Sequence, residues 1–272
     1  MTTNGVTSRL LSKNEDWNER FKDRLPHVFV GIVAFQDICH EIYNSHMVWA
    51  LGQGSRLAGR VHISFGMACR KEQYRARNHL VNHATDEGAD FMLMIDDDQT
   101  LHNTPQLIER FYEVGESVAG AMYYQRGGAY HPVVMKEFIA AGGKTSYRFF
   151  TTDEIPTEPQ AVDVLGGGCT WTDMSVFDKL KEPHWWPYPE KNCFVPDPEY
   201  GLDVNFCRKA RNLGYQCVLV PDLVVGHLAH TRKVIDAESR PSEQEIYESA
   251  AYKNYLVAVK ANQQSSDFPG RT

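Results

Sequence analysis

The sequence predicts an α/β fold built on a doubly wound, mostly parallel sheet. Two short apolar runs support this prediction, because each has the length of a strand and lacks the alternation of a half-exposed strand. The first runs from His27 to Phe35 and the second from Phe91 to Ile95. A helix, a strand and a second helix are expected between them, and this alternating order is typical of parallel strands joined by crossover helices.

The remaining elements are predicted from apolar spacing and turn residues. Residues 37–51 form a helix that Gly52 and Gly54 end. His62–Phe65 is a short strand, and helical spacing resumes from Lys71 to Ala84. The next helix has Thr104 as its N-cap and Pro105 as its first residue, and it continues to Tyr112. A strand at Ser117–Tyr124 and irregular or edge structure over Gln125–Gln160 follow. The remaining predicted elements are a strand at Val162–Leu165, a helix at Trp171–Leu180, a loop at Pro183–Pro198, a helix over 203–213, and strands at Gln216–Val220 and Leu223–Gly226.

Size and composition fit one domain with short tails. The chain has 272 residues and a net charge of −7, which disfavours indiscriminate binding to nucleic acid. Its 6 cysteines contain no CxxC pair, so a reduced, cytoplasmic protein is expected. Neither a signal peptide nor a membrane span is expected. The predicted organisation is an N-terminal arm at 1–26, the α/β domain at 27–235, and a peripheral C-terminal helix and tail at 236–272.

Positive charge is concentrated between Arg56 and Arg77. Within this stretch the basic residues are opposed by a single acid, Glu72. A run of this kind forms either a solvated helix face or a local surface that contacts phosphate groups. Both interpretations remain open from the sequence.

Three consecutive carboxylates follow the second apolar run, at Asp96, Asp97 and Asp98. In an open α/β sheet, ligands bind beyond the carboxyl ends of the strands. Alternate side chains of an extended segment share a face, so Asp96 and Asp98 are expected to converge while Asp97 points away. Two convergent carboxylates repel unless a cation lies between them, and oxygen ligands suit Mg²⁺ or Mn²⁺. The alternative is that these aspartates only terminate the strand.

Arg77 has the same helical phase as the apolar residues Leu80, Val81 and Ala84, which places it on the face turned toward the sheet. A guanidinium is always charged, so a buried one needs an anion. That anion is a structural carboxylate, a nucleotide phosphate or one of the three aspartates.

Two later segments also carry candidate functional residues. Asp203 begins an apolar helical stripe on its inward face, where it is either a helix cap or a carboxylate able to take a proton from an acceptor hydroxyl. His227 and His230 directly follow a short strand. Imidazole is a good ligand for Mn²⁺, and His227 is the better placed of the two, although a lone histidine is more often structural.

Taken in order, these motifs resemble those of GT-A glycosyltransferases, particularly the family 2-like group. Leu202 departs from the pattern, because the family usually has Glu beside the catalytic Asp. The segments that carry the resemblance are Ala76-Arg77-Asn78 for the donor-side ARN motif, Asp96-Asp97-Asp98 for the DxD motif, Val164–Gly168 for the strand and glycine turn, Gly201–Cys207 for the GED-x-x-FC element, and Val225-Gly226-His227 for the late metal site.

The resemblance implies a single, Rossmann-like GT-A domain with a small antiparallel part. It implies a UDP-sugar or similar donor, and Mn²⁺ or Mg²⁺ held by Asp96, Asp98 and His227. Asp203 would be the base of an inverting transfer to an acceptor hydroxyl. Trp185 and Trp186 are predicted to stack on the acceptor, or else to anchor their loop. The donor-binding residues implied are Ala34, Phe35, Arg77, Asn78, Asp96, Asp97, Gly167 and Gly168.

A looser resemblance concerns the acceptor. The segments Tyr123–Arg126 and His131–Val134 are similar to parts of virus-encoded glycosyltransferases that modify DNA. That similarity implies a 5-hydroxymethyl pyrimidine in DNA as the acceptor and the host cytoplasm as the location. Arg126 and the cluster of Arg208, Lys209 and Arg211 could then contact phosphates. A saccharide, protein or small-molecule acceptor is the alternative.

Two other classes of protein are compatible with a nucleotide-binding α/β fold. A sugar nucleotidylyltransferase normally has a glycine-rich, basic loop after the first strand, and Ala34–Ile38 lacks one. A silent nucleotide-sugar-binding module would be expected to have lost its metal ligands, yet the candidate ligands are present. A glycosyltransferase is therefore the favoured function.

Overall fold

The computed structural model describes residues 9–34, 38–180, 201–229 and 234–235. A 3₁₀ turn is present at Thr152–Glu154. The described helices are α1 (Glu15–Arg20), α2 (His40–Arg56), α3 (Gln73–Asp86), α4 (Leu107–Val114), α5 (Met174–Lys179) and α6 (Leu202–Asn212). The described strands are β1 (His27–Ala34), β2 (His62–Cys69), β3 (Phe91–Asp96), β4 (Gln99–Thr100), β5 (Val118–Met122), β6 (Val134–Ile139), β7 (Thr145–Phe149), β8 (Gln160–Val162), β9 (Val164–Leu165), β10 (Cys169–Asp173), β11 (Cys217–Val224), β12 (Gly226–Leu228) and β13 (Val234–Ile235).

A seven-stranded sheet in the order β2-β1-β3-β10-β5-β11-β8 forms the centre of the described molecule. β1 pairs in parallel with β2 and β3, and β5 pairs in parallel with β11. β10 runs antiparallel between β3 and β5, and β8 runs antiparallel at the edge beside β11. The sheet is therefore mostly parallel, and the predicted α/β class is confirmed.

The continuous apolar runs of the central strands arise because both faces of the sheet are covered. Val28 and Val30 of β1 pack into one core, whereas Phe29 and Val33 pack into the other. The first core also receives α1, α2 and α4, while the second receives α3, α5 and α6. Since successive side chains of a strand point to opposite faces, a strand buried between two helical layers must be apolar at every position.

The largest difference from the sequence prediction lies at residues 171–180, which were expected to form a helix. Trp171 lies in the middle of β10, and only Met174–Lys179 is helical, with Asp173 as its N-cap. The Trp171 side chain is fully buried and its ring stacks 4.7 Å from that of Phe91 and 5.9 Å from that of Phe111. Pairing with two neighbouring strands and burial of a large ring override the local helical spacing.

Several smaller predictions were also wrong. α2 continues through Gly52 and Gly54, because Trp49 and Gln53 anchor this part of the helix by donating hydrogen bonds to the carbonyls of Thr104 and Pro105. Thr104 is not the N-cap of α4, since its hydroxyl donates to the Leu101 carbonyl and the cap position is Gln106.

The Gly- and Pro-rich segment 125–160 has more order than expected. β6 and β7 form an antiparallel hairpin, which joins β9 in a small three-stranded sheet. The strand predicted at Val162–Leu165 divides between two sheets, because β8 pairs with β11 whereas β9 pairs with β6. A second three-stranded sheet combines β4, β12 and β13. Together these pieces supply the predicted small antiparallel part.

The segment predicted as an N-terminal arm packs onto the sheet. Asn14 caps α1 by accepting from the amides of Asp16 and Trp17, and the Trp17 and Phe21 side chains are buried in the core. The cysteines in the described ranges are free thiols. No helix in those ranges is both long and apolar enough to span a membrane. The predicted C-terminal helix and tail at 236–272 lie outside the described residues.

Candidate active site at the carboxyl ends of the strands

Three separate elements bring the candidate site together at the carboxyl end of β3. Asp96 is the last residue of β3, and its amide donates to the Gly168 carbonyl at 2.9 Å. This bond continues the pairing of β3 with β10 and holds the turn at Gly166–Gly168 beside the aspartates. α3 contributes Arg77 from one side of the sheet and α6 contributes Asp203 from its first turn.

Arg77 is buried at the centre of this group, as its helical phase predicted. One guanidinium nitrogen, Nη2, donates to both carboxylate oxygens of Asp96 at 2.8 and 3.0 Å. The other, Nη1, donates to the Gly167 carbonyl at 3.0 Å. Three kinds of anion were considered as the partner of Arg77, and the structure shows that the partner is Asp96, the first of the three aspartates. The same contacts fix the position of the glycine turn relative to β3.

Asp203 lies opposite Arg77 across the glycine turn. Its Oδ2 atom accepts a hydrogen bond from the Gly167 amide at 3.0 Å. The N-cap of α6 is Gly201, so Asp203 is not the helix cap, and it is the only acidic residue of the first turn. A side chain at position 167 would lie 2.5 Å from Asp203 Oδ1 and 2.8 Å from Arg77 Nη2. Glycine at this position is what lets the backbone approach both charges.

The charges around Asp96 are unbalanced. Burial raises the pKa of Asp96, the Arg77 charge lowers it, and the nearby charges of Asp98, Asp203 and Asp97 raise it, to about 7. Burial lowers the pKa of Arg77, but the charges of Asp96 and Asp203 outweigh burial and the net shift is upward. Arg77 thus faces two carboxylates, Asp96 and Asp203, while Asp98 has a separate arginine partner, Arg126. Repulsion among the aspartates raises the pKa of Asp96 in the absence of a cation.

The second pair in the site joins Asp98 to His227. Asp98 Oδ2 lies 3.4 Å from His227 Nε2 and 2.9 Å from Arg126 Nη1. His227 Nδ1 lies 2.7 Å from the Tyr124 carbonyl, which can only accept, so Nδ1 carries the proton and Nε2 faces Asp98. Burial raises the pKa of Asp98, but its hydrogen bond with His227 and the charges of His227 and Arg126 lower it, and the net shift is downward.

The three predicted metal ligands do not meet as one group in this arrangement. Both Asp96 oxygens are engaged by Arg77, whereas Asp98 and His227 face each other. Across the part of the chain that the structure describes, no three His, Cys, Asp or Glu side chains are placed to hold one metal ion. Asp98 and His227 are the pair whose donor atoms converge, so they are the best-placed ligands of the predicted set.

The other predicted site residues have different positions. Ala34 is buried at the end of β1, and Asn78 is buried on α3 next to Arg77. Asp97 is partly buried, and its amide donates to the Val33 carbonyl. Gly168 lies in the turn, where its amide donates to the Tyr123 hydroxyl at 3.0 Å. Phe35, Trp185, Trp186 and His230 lie outside the described residues.

Sequence reasoning assigned no catalytic or binding role in the site to Tyr123. Its side chain is buried, and its ring packs edge-on against that of His227 at 5.3 Å. Burial raises the pKa of Tyr123 well above its ordinary value, and the charges of Asp203 and Asp96 act in the same direction. The sequence did contain a signal for this residue, because Tyr123 lies at the end of a predicted strand, and ligands bind at that edge of the sheet.

No protein family and no curated protein matches the chain in sequence. Among solved structures, the chain is similar to A197 from STIV, with a TM-score of 0.50 and 16% identity over 80% of this chain and 97% of that one. It also matches a glycosyltransferase involved in glycosylation of the major capsid of PBCV-1, with a TM-score of 0.32 and 11% identity over 64% of this chain and 77% of that one.

A UDP-glucose pyrophosphorylase complexed with UDP-glucose matches with a TM-score of 0.42 and 8% identity, over 86% of this chain and 99% of that one. At such low identities these similarities concern the fold alone, and only the first reaches a TM-score at which the comparison carries weight. The chain therefore has an α/β, Rossmann-like fold of the GT-A kind.

Proposed function

We propose that this protein is a glycosyltransferase that moves a sugar from a nucleotide-sugar donor to an acceptor hydroxyl. The observation that carries the proposal is the convergence of Arg77, Asp96 and Asp203 around Gly167 at the carboxyl end of the sheet. This is the edge where open α/β sheets bind their ligands. Partly buried carboxylates that repel one another are unfavourable for the fold, and such groups are typical of functional sites.

A divalent cation, Mn²⁺ or Mg²⁺, fits part of this site. Asp98 and His227 present a carboxylate oxygen and the imidazole Nε2 atom toward the same place, 3.4 Å apart, and the Tyr124 carbonyl orients the imidazole as such partners do in metal sites. Mg²⁺-like ions in nucleotide enzymes commonly use one or two protein ligands together with substrate phosphates. When bound, such an ion would neutralise charge on the donor diphosphate. Asp96 is better suited to balancing Arg77.

Asp203 is proposed as the general base. Its Oδ2 is held by the Gly167 amide, which fixes the carboxylate at the turn and leaves Oδ1 as the oxygen with no hydrogen bond from that amide. The acceptor hydroxyl would lose its proton to Asp203 as its oxygen bonds to the sugar carbon and the bond to the donor diphosphate breaks. One such displacement inverts the anomeric configuration. The space beside Gly167 is filled by Asp203 and Arg77, so the glycine turn positions these two side chains for the transfer.

The donor is proposed to be a UDP-sugar lying between the end of β1 at Ala34 and the glycine turn. Arg77 is buried and bound to Asp96, so its part is to hold the carboxylate and the turn in place. Asn78 would act in the same way from the interior of α3. Arg126, whose side chain is 38% exposed beside Asp98, is better placed to reach donor phosphates.

The identity of the acceptor is the least supported part of the proposal. A 5-hydroxymethyl pyrimidine in DNA remains the specific candidate, and Trp185 and Trp186 its predicted stacking partners. The basic cluster predicted to contact DNA phosphates is partly engaged, because Arg211 pairs with Glu137 and Asp163. Arg56, at the start of the predicted basic stretch, pairs with Glu109. DNA is therefore one acceptor to test beside saccharides and peptides.

The test is a transfer assay with radiolabelled UDP-sugars in Mn²⁺ or in chelator, offered to DNA containing 5-hydroxymethyl pyrimidines, to oligosaccharides and to peptides. Transfer to any acceptor, or metal-dependent donor hydrolysis, is expected from the parent protein. Asp203→Asn should lower turnover by roughly 10²–10⁴-fold while donor affinity stays close to the parent value. Asp222→Asn is the matched control, because Asp222 is half-exposed, pairs with Arg110 and makes no contact with Arg77, Asp96 or Asp203 among the described interactions.

Two outcomes would contradict the proposal. Pyrophosphate release from UTP and a sugar 1-phosphate, without sugar transfer, would identify a nucleotidylyltransferase. Donor binding without turnover in any arm would identify a binding module. If Asp203→Asn transfers sugar at the parent rate, Asp203 is not the base, even where the activity itself is confirmed.

A further inference from the structure

A cavity of about 330 Å³ lies at the opposite end of the sheet from the candidate active site. It is formed where the N-terminal segment, the turn after α2 and the start of β1 meet, and its lining includes Leu25 and Pro26, which directly precede β1. Ala34, at the other end of that strand, lies beside the aspartates. The 8 residues of β1 separate the two places by roughly 25 Å.

The lining of this cavity is rich in positive charge. Four of its residues are basic, namely Arg9, Lys22, Arg24 and Arg60, whereas Asp23 is the only acid among its described lining residues. Two of these cations are already neutralised, since Arg24 forms two hydrogen bonds with the buried Asp90 and Lys22 pairs with Glu19. Arg9 and Arg60 therefore set the charge of the cavity.

Arg60 is the residue that points to a ligand. Within the described ranges its side chain makes no ion pair and no hydrogen bond, and its Nε atom is buried without an acceptor. This contrasts with its neighbours in the predicted basic stretch, because Arg56 pairs with Glu109 and Arg75 with Glu72. The two terminal nitrogens of Arg60 are not among the buried atoms, so an anion in the cavity can reach them and pair with this unpartnered guanidinium.

Arg9 supplies a second guanidinium to the same cavity. It donates to the Asn18 carbonyl, and no carboxylate of the described residues pairs with it. A phosphate group has several acceptor oxygens pointing in different directions, so guanidinium groups from two segments can bind it at once. The rest of the wall is partly apolar, formed by Leu10, Leu25 and the edges of Phe21 and Tyr112.

We propose that this cavity is a binding site for a small molecule carrying a phosphate monoester, held by Arg9 and Arg60 and distinct from the site of sugar transfer. Its volume lies in the range of pockets that take small ligands, and is larger than a phosphate ion alone requires. The apolar wall would contact the organic part of the ligand. The inference stands independently of the proposed transferase activity, because it uses none of those residues.

The test is calorimetric titration of the full chain in chelator with inorganic phosphate, adenosine 5′-monophosphate and adenosine. Saturable binding of the monophosphate at one site is expected, tighter than that of phosphate and weakening as salt rises. Arg60→Gln should weaken it by roughly tenfold or more, because a charge-assisted contact is lost. Arg56→Gln is the control, since Arg56 belongs to the same basic stretch but pairs with Glu109 and lies outside the cavity lining.

Arg60→Lys distinguishes a loss of binding from a loss of folding, because lysine keeps the positive charge but lacks the planar set of guanidinium donors. We expect intermediate affinity and a thermal unfolding midpoint equal to that of the parent. The proposal is overturned if no phosphate compound binds saturably, if adenosine binds as tightly as its monophosphate, or if Arg56→Gln and Arg60→Gln weaken binding equally. Equal affinity for phosphate and the monophosphate would overturn the assignment of an organic ligand.

Discussion

An aspartate lies at each end of β3, buried at the amino end and partly buried at the carboxyl end, and the two have different partners. Asp90 precedes the strand and is held by Arg20 and Arg24, with a further hydrogen bond from the His27 amide. Asp96 ends the strand and shares one arginine, Arg77, with a second carboxylate, Asp203. Burial raises the pKa of Asp90, but the hydrogen bonds and charges of its arginine partners lower it by more, so the net shift is downward. The pKa of Asp96 is instead raised to about 7.

This difference is the one expected between a structural carboxylate and a carboxylate of the proposed active site. At the amino end two arginines, Arg20 and Arg24, face two carboxylates, Asp90 and Asp173, so these ion pairs tie the N-terminal segment to the sheet. At the carboxyl end negative charge is in excess, and a cation or a proton has to enter to balance it.

The largest loss of stability should follow from removing Arg77, which pairs with Asp96 at the carboxyl end of β3. Arg77→Gln leaves Asp96 and Asp203 without their shared guanidinium, and loss of one partner from a buried ion pair typically destabilises a protein by about 3–5 kcal/mol. Urea unfolding would measure this. Arg75→Gln, on the same helix but paired at the surface with Glu72, is the control and should change stability little. Equal losses would mean that burial of Arg77 is not the source of the effect.

A smaller effect is expected from filling the glycine turn. In Gly167→Ala the new methyl group would lie 2.5 Å from Asp203 Oδ1 and 2.8 Å from Arg77 Nη2. Such overpacking typically costs about 1–3 kcal/mol, and it would also displace Asp203 and reduce turnover. Gly127→Ala is the control, because a methyl group added at that position would meet open space, with no contact within 4 Å. Parent-like stability and turnover of Gly167→Ala would show that the turn is not closely packed.

The ion pairs of Asp90, at the amino end of β3, predict that the stability of the protein depends on pH. The pKa of Asp90 lies below its ordinary value of 3.8 in the folded protein, so its stabilising contribution is complete above that value and is lost as the pH falls through the lowered pKa. Urea midpoints of the parent should fall between about pH 5 and pH 2. Asp90→Asn should be less stable by roughly 1–3 kcal/mol near neutral pH and show a flatter acid response. A response as steep as that of the parent would assign the acid sensitivity to other groups.

The smallest effect is expected from the exposed partner at the same end. The Arg24 side chain is 51% exposed, and exposed ion pairs are typically worth about 0.2–1 kcal/mol. Arg24→Gln should therefore destabilise the protein much less than Arg77→Gln, and the loss should shrink in high salt. Unfolding midpoints of both variants across a salt series make the comparison. A loss from Arg24→Gln that equals that of Arg77→Gln would remove the distinction between the two ends.

Some features of the molecule followed from the sequence alone. The apolar runs of β1 and β3 predicted buried strands, because a strand covered on both faces cannot alternate. The phase of Arg77 with Leu80, Val81 and Ala84 predicted a buried guanidinium, and that is where the structure places it. These inferences depend on spacing within one element, which is a local property of the chain. The start of α6 near Asp203 was predictable for the same reason.

Other features depended on the tertiary structure. Trp171, Met174 and Phe177 follow helical spacing, so nothing local indicates that the first of them lies in a strand; pairing with β3 and β5 decides it. The choice of Asp96 as the partner of Arg77, and of Asp98 as that of His227, likewise depended on contacts between distant segments. Spacing along a chain predicts which face a side chain lies on, but the partner on that face is set by how the elements pack.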